Sequence, residues 1–242
     1  MAILGCGEFS FERYIMNKVS DTGIEHIVSV DCDETPMTRG IHLTNEVIDG
    51  NSYMPNRNTL PVHIEAFYGD VLHPTAVLSN VDVVLSTEVI EHMPLEDATK
   101  MLKAILNEIH PKVFVLSTPN HDFNVVFGMK EGQFRHDDHH FEFTRKQFLE
   151  WLKENVPEPY TYEVEYVGEI TGHSNLDGAT QFAIIERSLE ESGRTIENDE
   201  KPYDKVADFI FCNGISRVET WALANAFDQF LECFEFDPAN IV

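Results

Sequence analysis

Short apolar runs recur along the chain and alternate with stretches of helical spacing. The runs are nearly continuous in hydrophobic side chains, and they lie at residues 2–4, 24–30, 62–68, 81–86 and 113–117. Stretches with apolar residues every three or four positions lie between them, at residues 9–19, 38–47 and 95–109. Such runs are typical of strands in a parallel sheet covered on both faces. The pattern predicts an α/β fold, Rossmann-like and doubly wound, with a mostly parallel sheet and helices on both faces.

The second part of the chain predicts one more helix and two more strands. Residues 144–155 have helical spacing, and Thr144 takes the N-cap position. Strands at 160–170 and 180–186 are joined by a glycine-containing loop, which suits an antiparallel pair and brings the sheet to seven strands. We therefore expect a domain over residues 1–187. An acidic linker at 188–205 and a C-terminal helical extension at 206–242, packed against the domain, follow it.

Length and composition favour a single domain inside the cell. At 242 residues and 43% hydrophobic, the chain is long enough to bury one full core. Its longest apolar runs are far shorter than a membrane span, and its first residues lack the pattern of a secretory signal. Without a Cys-x-x-Cys pair, the cysteines indicate reduced thiols in the cytoplasm. The four are Cys6, Cys32, Cys212 and Cys233.

The net charge restricts how the protein can meet nucleic acid. Lys+Arg 17 against Asp+Glu 42 gives a formal charge of −25, a poor match to a protein that grips long nucleic acid by its phosphates. Residues 127–153 are an exception, because five basic side chains there balance five acidic ones. If RNA is bound, we expect contact with a short end at this segment.

A glycine turn and two strand-terminal acids predict a nucleoside site. Gly5 and Gly7 follow the first strand, where glycine allows the backbone to approach a ligand closely. Asp31 ends the second strand, where it can bond a ribose diol, and Asp70 follows the third, where it can face an adenine amine. The alternative is that both acids are solvated turn residues.

Two separate segments carry potential metal ligands. Glu88, Glu91 and His92 have the spacing that places three side chains on one face of a helix. This motif alone is not decisive, because similar runs occur in small-molecule methyltransferases and on plain helix surfaces. One histidine from residues 135–140 would complete a shell of two carboxylates and two imidazoles, which suits Mg²⁺ or Mn²⁺. Zinc is the alternative ion for this histidine cluster.

Residues 134–145 read Phe-Arg-His-Asp-Asp-His-His-Phe-Glu-Phe-Thr-Arg, and Ser-Thr-Pro-Asn precedes them at 117–120. Together with the glycine turn, they resemble the small-RNA 3′-terminal 2′-O-methyltransferase family (piRNA/siRNA methyltransferases), within the class I S-adenosylmethionine-dependent methyltransferases. The resemblance covers most of residues 3–187. It implies that His139 is a metal ligand, whereas His140 stands where the family often has lysine. The implied Mg²⁺ or Mn²⁺ ligands are Glu88, Glu91, His92 and His139.

The resemblance also implies a reaction and its partners. The expected activity is methyl transfer from S-adenosylmethionine to the 2′-hydroxyl of the last nucleotide of small RNAs, which protects their ends in RNA-mediated gene silencing. His139 and His92 are the candidate bases, and Asn120 and Phe123 are expected to help seat that nucleotide. The expected partner is a Piwi- or Argonaute-class protein. We expect a monomer in the cytoplasm, including perinuclear RNA granules.

One departure from the family keeps two other functions open. The family usually carries an acid two residues before the first glycine, and Ile3 occupies that position here. With the short first strand, this predicts either reduced cofactor affinity or a shortened N-terminus. The alternative functions are a small-molecule O-methyltransferase acting on a catechol-like diol, and a non-catalytic, shortened form that serves as a binding module.

Overall fold

The computed structural model describes residues 1–18, 23–51, 61–130, 132–172, 174–188, 195–196 and 202–212. Within these ranges the chain forms one mixed sheet with helices on both faces. The helices are α1 (Ser10–Lys18), α2 (Glu34–Asn51), α3 (Leu95–Ala104, continued by a π-helical turn at Ile105–Ile109) and α4 (Arg145–Asn155). The strands are β1 (Ala2–Leu4), β2 (His26–Asp31), β3 (Pro61–Tyr68), β4 (Val83–Thr87), β5 (Val113–Pro119), β6 (Tyr160–Val167), β7 (Thr180–Arg187) and β8 (Asp204–Cys212).

The strand order confirms the predicted doubly wound fold. The order is β6-β7-β5-β4-β1-β2-β3-β8, and β1 to β5 are all parallel. β7 pairs antiparallel with both β5 and β6, which confirms the predicted antiparallel pair at this edge. The chain winds outward from β1 in both directions, so the carboxyl ends of β1, β2 and β4 meet at the switch point. Ligands of doubly wound sheets bind at that place.

Side chains of the central strands alternate between two apolar cores. Leu4 packs into the core beneath α3 and α4, together with Leu102 and Phe148. Ile3, the next residue toward the N-terminus, packs into the core beneath α1 and α2, together with Phe9. Both faces of β1 are therefore buried, which explains why its sequence is continuously apolar.

Helix α4 begins at the predicted N-cap. The Thr144 hydroxyl accepts a hydrogen bond from the backbone N–H of Gln147, and the Gln147 side chain accepts one from the backbone N–H of Thr144. This capping box satisfies two of the N–H groups that a helix start leaves unpaired. It also anchors the end of the histidine-rich segment that precedes the helix.

The sheet has eight strands and not the predicted seven. β8 pairs antiparallel with β3 from Pro61↔Cys212 to Tyr68↔Asp204. Residues 207–212 were predicted to be helical within the 206–242 extension, and this prediction is wrong. Phe209 is buried while Asp208 and Ile210 are exposed, a period of two that suits the open edge of β3. The strand also takes up the end of the predicted linker.

The rest of the extension, residues 213–242, lies outside the described residues, as does most of the linker at 188–205. Among the described residues, no helix combines the length and the apolarity that crossing a membrane requires. Cys6 and Cys32 are free thiols, as predicted, and the other two cysteine side chains are outside the described set.

Candidate active site

The segment after β4 is not the continuous helix that the spacing of Glu88, Glu91 and His92 predicted. Glu88 has a φ of 53°, in the left-handed region, and Ile90–His92 form a single 3₁₀ turn. The Glu88 N–H donates to the carbonyl oxygen of Ser117 at 3.2 Å, which ties this bend to the end of β5. Pro94 then disfavours helical backbone at Met93, so α3 starts only at Leu95.

The structure nevertheless brings both predicted halves of the metal site together. Ligand atoms of Glu91, His92 and His139 all lie within 4.8 Å of one another. The backbone N–H of His140 donates to the Glu91 carbonyl at 2.7 Å, which joins the two segments directly. Glu88 is outside this group, because its Oε1 accepts a hydrogen bond from the Ser117 hydroxyl at 2.9 Å. Three of the four predicted ligands therefore converge.

Glu91 has the properties of a carboxylate built to meet a cation. Its side chain is fully buried, and Oε2 accepts a hydrogen bond from the Thr118 hydroxyl at 3.0 Å. Oε1 is also buried and has no hydrogen-bond partner among the described residues. Burial, helped by the nearby charge of Glu88, raises the pKa of Glu91 to about 8. A lone oxygen of this kind is costly unless a cation satisfies it, so the residues present fit a metal ion.

His139 is oriented by the carboxylate of Glu142, a residue that the sequence analysis did not identify. Its Nδ1 lies 2.7 Å from Oε1 of Glu142, whose side chain is fully buried. Since a carboxylate only accepts, Nδ1 carries the proton and Nε2 keeps its lone pair for a metal or a hydroxyl proton. Glu142 lies three residues after His139, and this spacing was the signal in the sequence that could have identified it.

Glu142 is itself the centre of a hydrogen-bond network. Its Oε1 also accepts from the backbone N–H of Arg135 at 2.6 Å, and its Oε2 accepts from Nδ2 of Asn124 at 2.6 Å and contacts Nδ1 of His121 at 3.2 Å. Burial alone would raise the pKa of Glu142, but these donors outweigh it and hold the pKa below its ordinary value. Glu142 therefore stays ionised and keeps His139 in one orientation.

His92 is the solvent-facing member of the cluster. Its Nδ1 lies 3.0 Å from Oδ2 of Asp138, and its ring meets that of His139 edge-on with centroids 4.8 Å apart. The other oxygen of Asp138 pairs with His136, which is exposed, as is the side chain of His140. The ring of His136 contacts those of His92 and His139, but neither His136 nor His140 belongs to the converging ligand group.

The predicted cofactor residues meet at the carboxyl ends of β1 and β2. Gly5 and Gly7 have φ values of 77° and 51°, which favour glycine. A Cβ on Gly5 would lie 2.3 Å from Cγ2 of Val89, and the space over Gly7 is open. The Gly7 N–H donates to Oδ2 of Asp31 at 2.7 Å. A bare backbone turn beside a carboxylate fits the nucleoside and amino-acid parts of S-adenosylmethionine.

Asp70 lies after β3, as predicted, with a half-exposed side chain that accepts from the Leu72 N–H at 2.9 Å. Burial raises the pKa of the Cys32 thiol, and the charges of Asp31 and Asp70 both add to this effect. The negative charges of both carboxylates therefore act on the same thiol. This arrangement suits the predicted ribose and adenine contacts, and it does not remove the alternative that Asp70 is a turn acid.

The two residues expected to seat a terminal nucleotide are buried elsewhere. Asn120 is fully buried, and its side-chain amide donates to the carbonyl oxygens of Leu176 and Gly178. Phe123 is also fully buried. Both side chains hold the loop after β5 in place, so the expected direct contact with a nucleotide is not supported by their position.

Comparison with solved structures identifies the class of protein. The crystal structure of the small RNA methyltransferase HEN1 superposes with a TM-score of 0.72 at 26% identity, covering 86% of this chain and 25% of that chain. The methyltransferase domain of a bacterial Hen1 shares the fold, with a TM-score of 0.57 at 24% identity over 76% of this chain and 88% of that chain. The chain thus has the class I methyltransferase fold.

Sequence relatives narrow the class to a family. A Caenorhabditis elegans small RNA 2′-O-methyltransferase is 36% identical over 241 residues, 97% of this chain and 54% of the relative. The Drosophila melanogaster protein of the same name is 32% identical over 175 residues, 71% of this chain and 42% of the relative. No protein-family model matches the chain. The chain belongs to the small-RNA 2′-O-methyltransferase family, and it spans about half the length of these relatives.

Proposed function

We propose that the chain transfers a methyl group from S-adenosylmethionine to the 2′-hydroxyl of the 3′-terminal nucleotide of small RNAs. The observation that carries this proposal is that the glycine turn lies next to the Glu91–His92–His139 group. Val89 lies between Glu88 and Glu91 in sequence, and its side chain packs where a Cβ on Gly5 would stand. The glycine turn and the Glu91–His92–His139 group are therefore neighbours. A methyl donor on the turn would face a hydroxyl held by the cluster.

The cluster suits Mg²⁺ or Mn²⁺ bound by Glu91, His92 and His139, with Glu88 as a fourth ligand once it releases Ser117. Such an ion supplies Lewis-acid chemistry and orients two vicinal hydroxyls. A terminal nucleotide has a free 2′,3′-diol, and an internal nucleotide does not. Recognition of the diol would give specificity for RNA ends without reading base sequence.

His139 and His92 are the two candidate bases. Each places one ring nitrogen against a carboxylate, Glu142 for His139 and Asp138 for His92. The second nitrogen can either ligate the ion or take the proton of the attacking hydroxyl, and it cannot do both at once. His139 is nearly buried while His92 is about 41% exposed, so a proton on His92 reaches solvent more readily.

Residues 127–153, the neutral segment in which five basic side chains balance five acidic ones, supply a surface on which the last bases of an RNA can stack. Phe127 and Phe134 are exposed aromatic side chains, and the Arg135 guanidinium lies 5.1 Å from the Phe127 ring centroid. Aromatic faces with a neighbouring arginine bind single-stranded bases without sequence preference. We assign the seating of the terminal nucleotide to these residues, in place of Asn120 and Phe123.

The strongly acidic chain requires a partner that presents the RNA. A formal charge of −25 repels the phosphate backbone beyond the neutral segment. We therefore infer a Piwi- or Argonaute-class protein that carries the small RNA and releases its 3′ end to a monomer of this chain. The free thiols of Cys6 and Cys32 suit a reducing compartment, and we place the complex in the cytoplasm, including perinuclear RNA granules.

Two alanine variants and one control test the assignment of the cluster. In Glu91→Ala and His139→Ala, transfer of labelled methyl groups to RNA should be lost, while binding of S-adenosylmethionine stays within a few-fold of the unchanged protein. His140→Ala removes an adjacent, exposed histidine side chain and should leave both properties intact. If both cluster variants lose cofactor binding as well, the cluster supports the fold and does not hold the reacting groups.

The acidic surface also favours one other substrate class, a small catechol-like diol. The same assay distinguishes the two, because it can offer a short RNA and catechol in parallel with and without Mn²⁺. Metal-dependent methylation of catechol without methylation of RNA would favour the small-molecule enzyme.

A further inference from the structure

The position that usually carries an acid in this fold is apolar here. Ile3 lies two residues before Gly5, is 4% exposed and faces the core beneath α1 and α2. Its partner across the β1–β2 pair is Ser29. The sheet therefore offers no carboxylate from β1 at the base of the glycine turn.

A carboxylate reaches the same place from a different element. Glu12, in the first turn of α1, is 1% exposed, and its Oε1 accepts a hydrogen bond from the Ser29 hydroxyl at 2.6 Å. Since Ser29 is the sheet neighbour of Ile3, the Glu12 carboxylate lies beside the position where the acid is missing. The connection between β1 and α1 is the glycine turn itself, so Glu12 sits at the foot of that turn.

Half of this carboxylate is unsatisfied. Oε2 of Glu12 is buried and has no hydrogen-bond partner among the described residues. Burial raises the pKa of Glu12 to about 7; the Ser29 hydrogen bond and the charge of Arg13 act in the opposite direction, and the charge of Asp31 adds slightly to the increase. The Arg13 guanidinium is taken up by the carbonyl of Glu8 and the hydroxyl of Ser10. Packing alone does not account for a buried acid with a free oxygen, because an apolar side chain would pack there without that cost.

We propose that Glu12 supplies from α1 the carboxylate that the family carries at the position of Ile3, and that its charge attracts the cationic amino-acid end of S-adenosylmethionine on the glycine turn. That end carries an ammonium group and a carboxylate on one carbon and, two methylene groups further along, the sulfonium centre. Its net charge is positive, so a buried negative charge below the turn complements it. This inference rests on the proposed function and adds a positioning residue to it. If Glu12 has this role, the absence of an acid at the position of Ile3 need not reduce cofactor affinity, because α1 supplies a carboxylate instead of β1.

Cofactor affinity, measured by calorimetry without any RNA, tests the proposal. Glu12→Gln keeps the shape of the side chain and removes its charge, so Kd for S-adenosylmethionine should increase about 10- to 100-fold. The matched control is Glu34→Gln, because Glu34 is an exposed glutamate in the first turn of α2. Its Kd should be unchanged. If the protein without substitutions binds S-adenosylmethionine and Glu12→Gln binds it with the same Kd, the proposal is overturned.

A reciprocal swap covers the case in which Glu12 variants fold poorly. Glu12→Leu should lose cofactor affinity, and Ile3→Asp combined with Glu12→Leu should recover it, because the acid returns to its usual strand position. Circular dichroism and a melting curve of each cofactor-free variant show whether it folds. A folded double variant that stays as weak as Glu12→Leu would contradict the proposal. If the unchanged protein binds no S-adenosylmethionine, the proposed function fails, which is a different outcome.

Discussion

Replacing Glu142 should show how much its contact with His139 contributes to stability and to methyl transfer. Glu142 is fully buried and receives contacts from four donor groups, on Arg135, His139, Asn124 and His121. Glu142→Gln keeps the volume of the side chain and one carbonyl oxygen. The new amide NH₂ then faces donors in place of the second oxygen, and the negative charge that favours the His139 tautomer is gone.

The expected cost follows from these contacts. Hydrogen bonds to a charged group contribute about 1.5–3 kcal/mol each, and a buried donor left unpaired costs about 1–3 kcal/mol. With roughly half of the network disrupted, we expect Glu142→Gln to lower the free energy of unfolding by about 2–4 kcal/mol. At about 2–4 °C per kcal/mol for a chain of this size, Tm should fall by roughly 5–15 °C. Methyl transfer should fall about 10- to 100-fold, as is typical when the partner of a metal-ligating histidine is removed.

Thermal and denaturant unfolding measure the stability, and transfer to a short RNA measures the activity. The matched control is Glu150→Gln, because Glu150 is an exposed glutamate of α4 whose Oε1 lies 3.8 Å from Nζ of Lys146. This substitution should change the free energy of unfolding by less than about 0.5 kcal/mol. A double-mutant cycle with His139→Ala should show a coupling energy of about 1–3 kcal/mol. Additive effects, or a Glu142→Gln protein with full stability and activity, would refute the reasoning.

Three further predictions concern local structure and pH. Gly5→Ala should lower stability by about 1–3 kcal/mol in urea unfolding, because its φ is 77° and its Cβ would overlap Val89; Gly23→Ala, with φ 66° but open space around it, should cost less. Thr144→Ala removes the N-cap of α4 and should cost about 1 kcal/mol, whereas Thr144→Ser should cost almost nothing. The pKa of Glu12 is about 7 when folded and about 4.5 when unfolded, so the folded state binds its proton more tightly. Its contribution to stability is present below about pH 4.5 and is lost as pH rises through about 7; Glu12→Gln should flatten this decline, and an equally steep decline in that variant would contradict the assignment.

Strand ends and local spacing made part of the site predictable from the sequence. Asp31 and Asp70 could be placed because each stands at the carboxyl end of an apolar run, and parallel strands bring such ends together. Thr144 could be placed because N-capping depends on residues only three positions apart. The convergence of Glu91 and His139 was suggested by their residue types together with the family resemblance.

Contacts between distant parts of the chain decided what the sequence did not predict. Glu88 is left-handed because its backbone and side chain bond to Ser117, twenty-nine residues away. Residues 207–212 form a strand because β3 offers an open edge, a fact about the assembled sheet. Glu12 comes beside the position of the missing acid only once α1 folds over β2 and meets Ser29. Periodicity within one segment contains no information about such contacts.

We propose that the Glu91–His92–His139 group beside the glycine turn directs methyl transfer to a terminal diol. The most direct test is incorporation of labelled methyl groups from S-adenosylmethionine into a short RNA with Mn²⁺, beside the same RNA whose 3′ diol was destroyed by periodate. We expect metal-dependent labelling of the intact RNA and none of the oxidised one. Equal labelling of both RNAs, or efficient labelling of an RNA that ends in a 3′-phosphate, would contradict recognition of the diol.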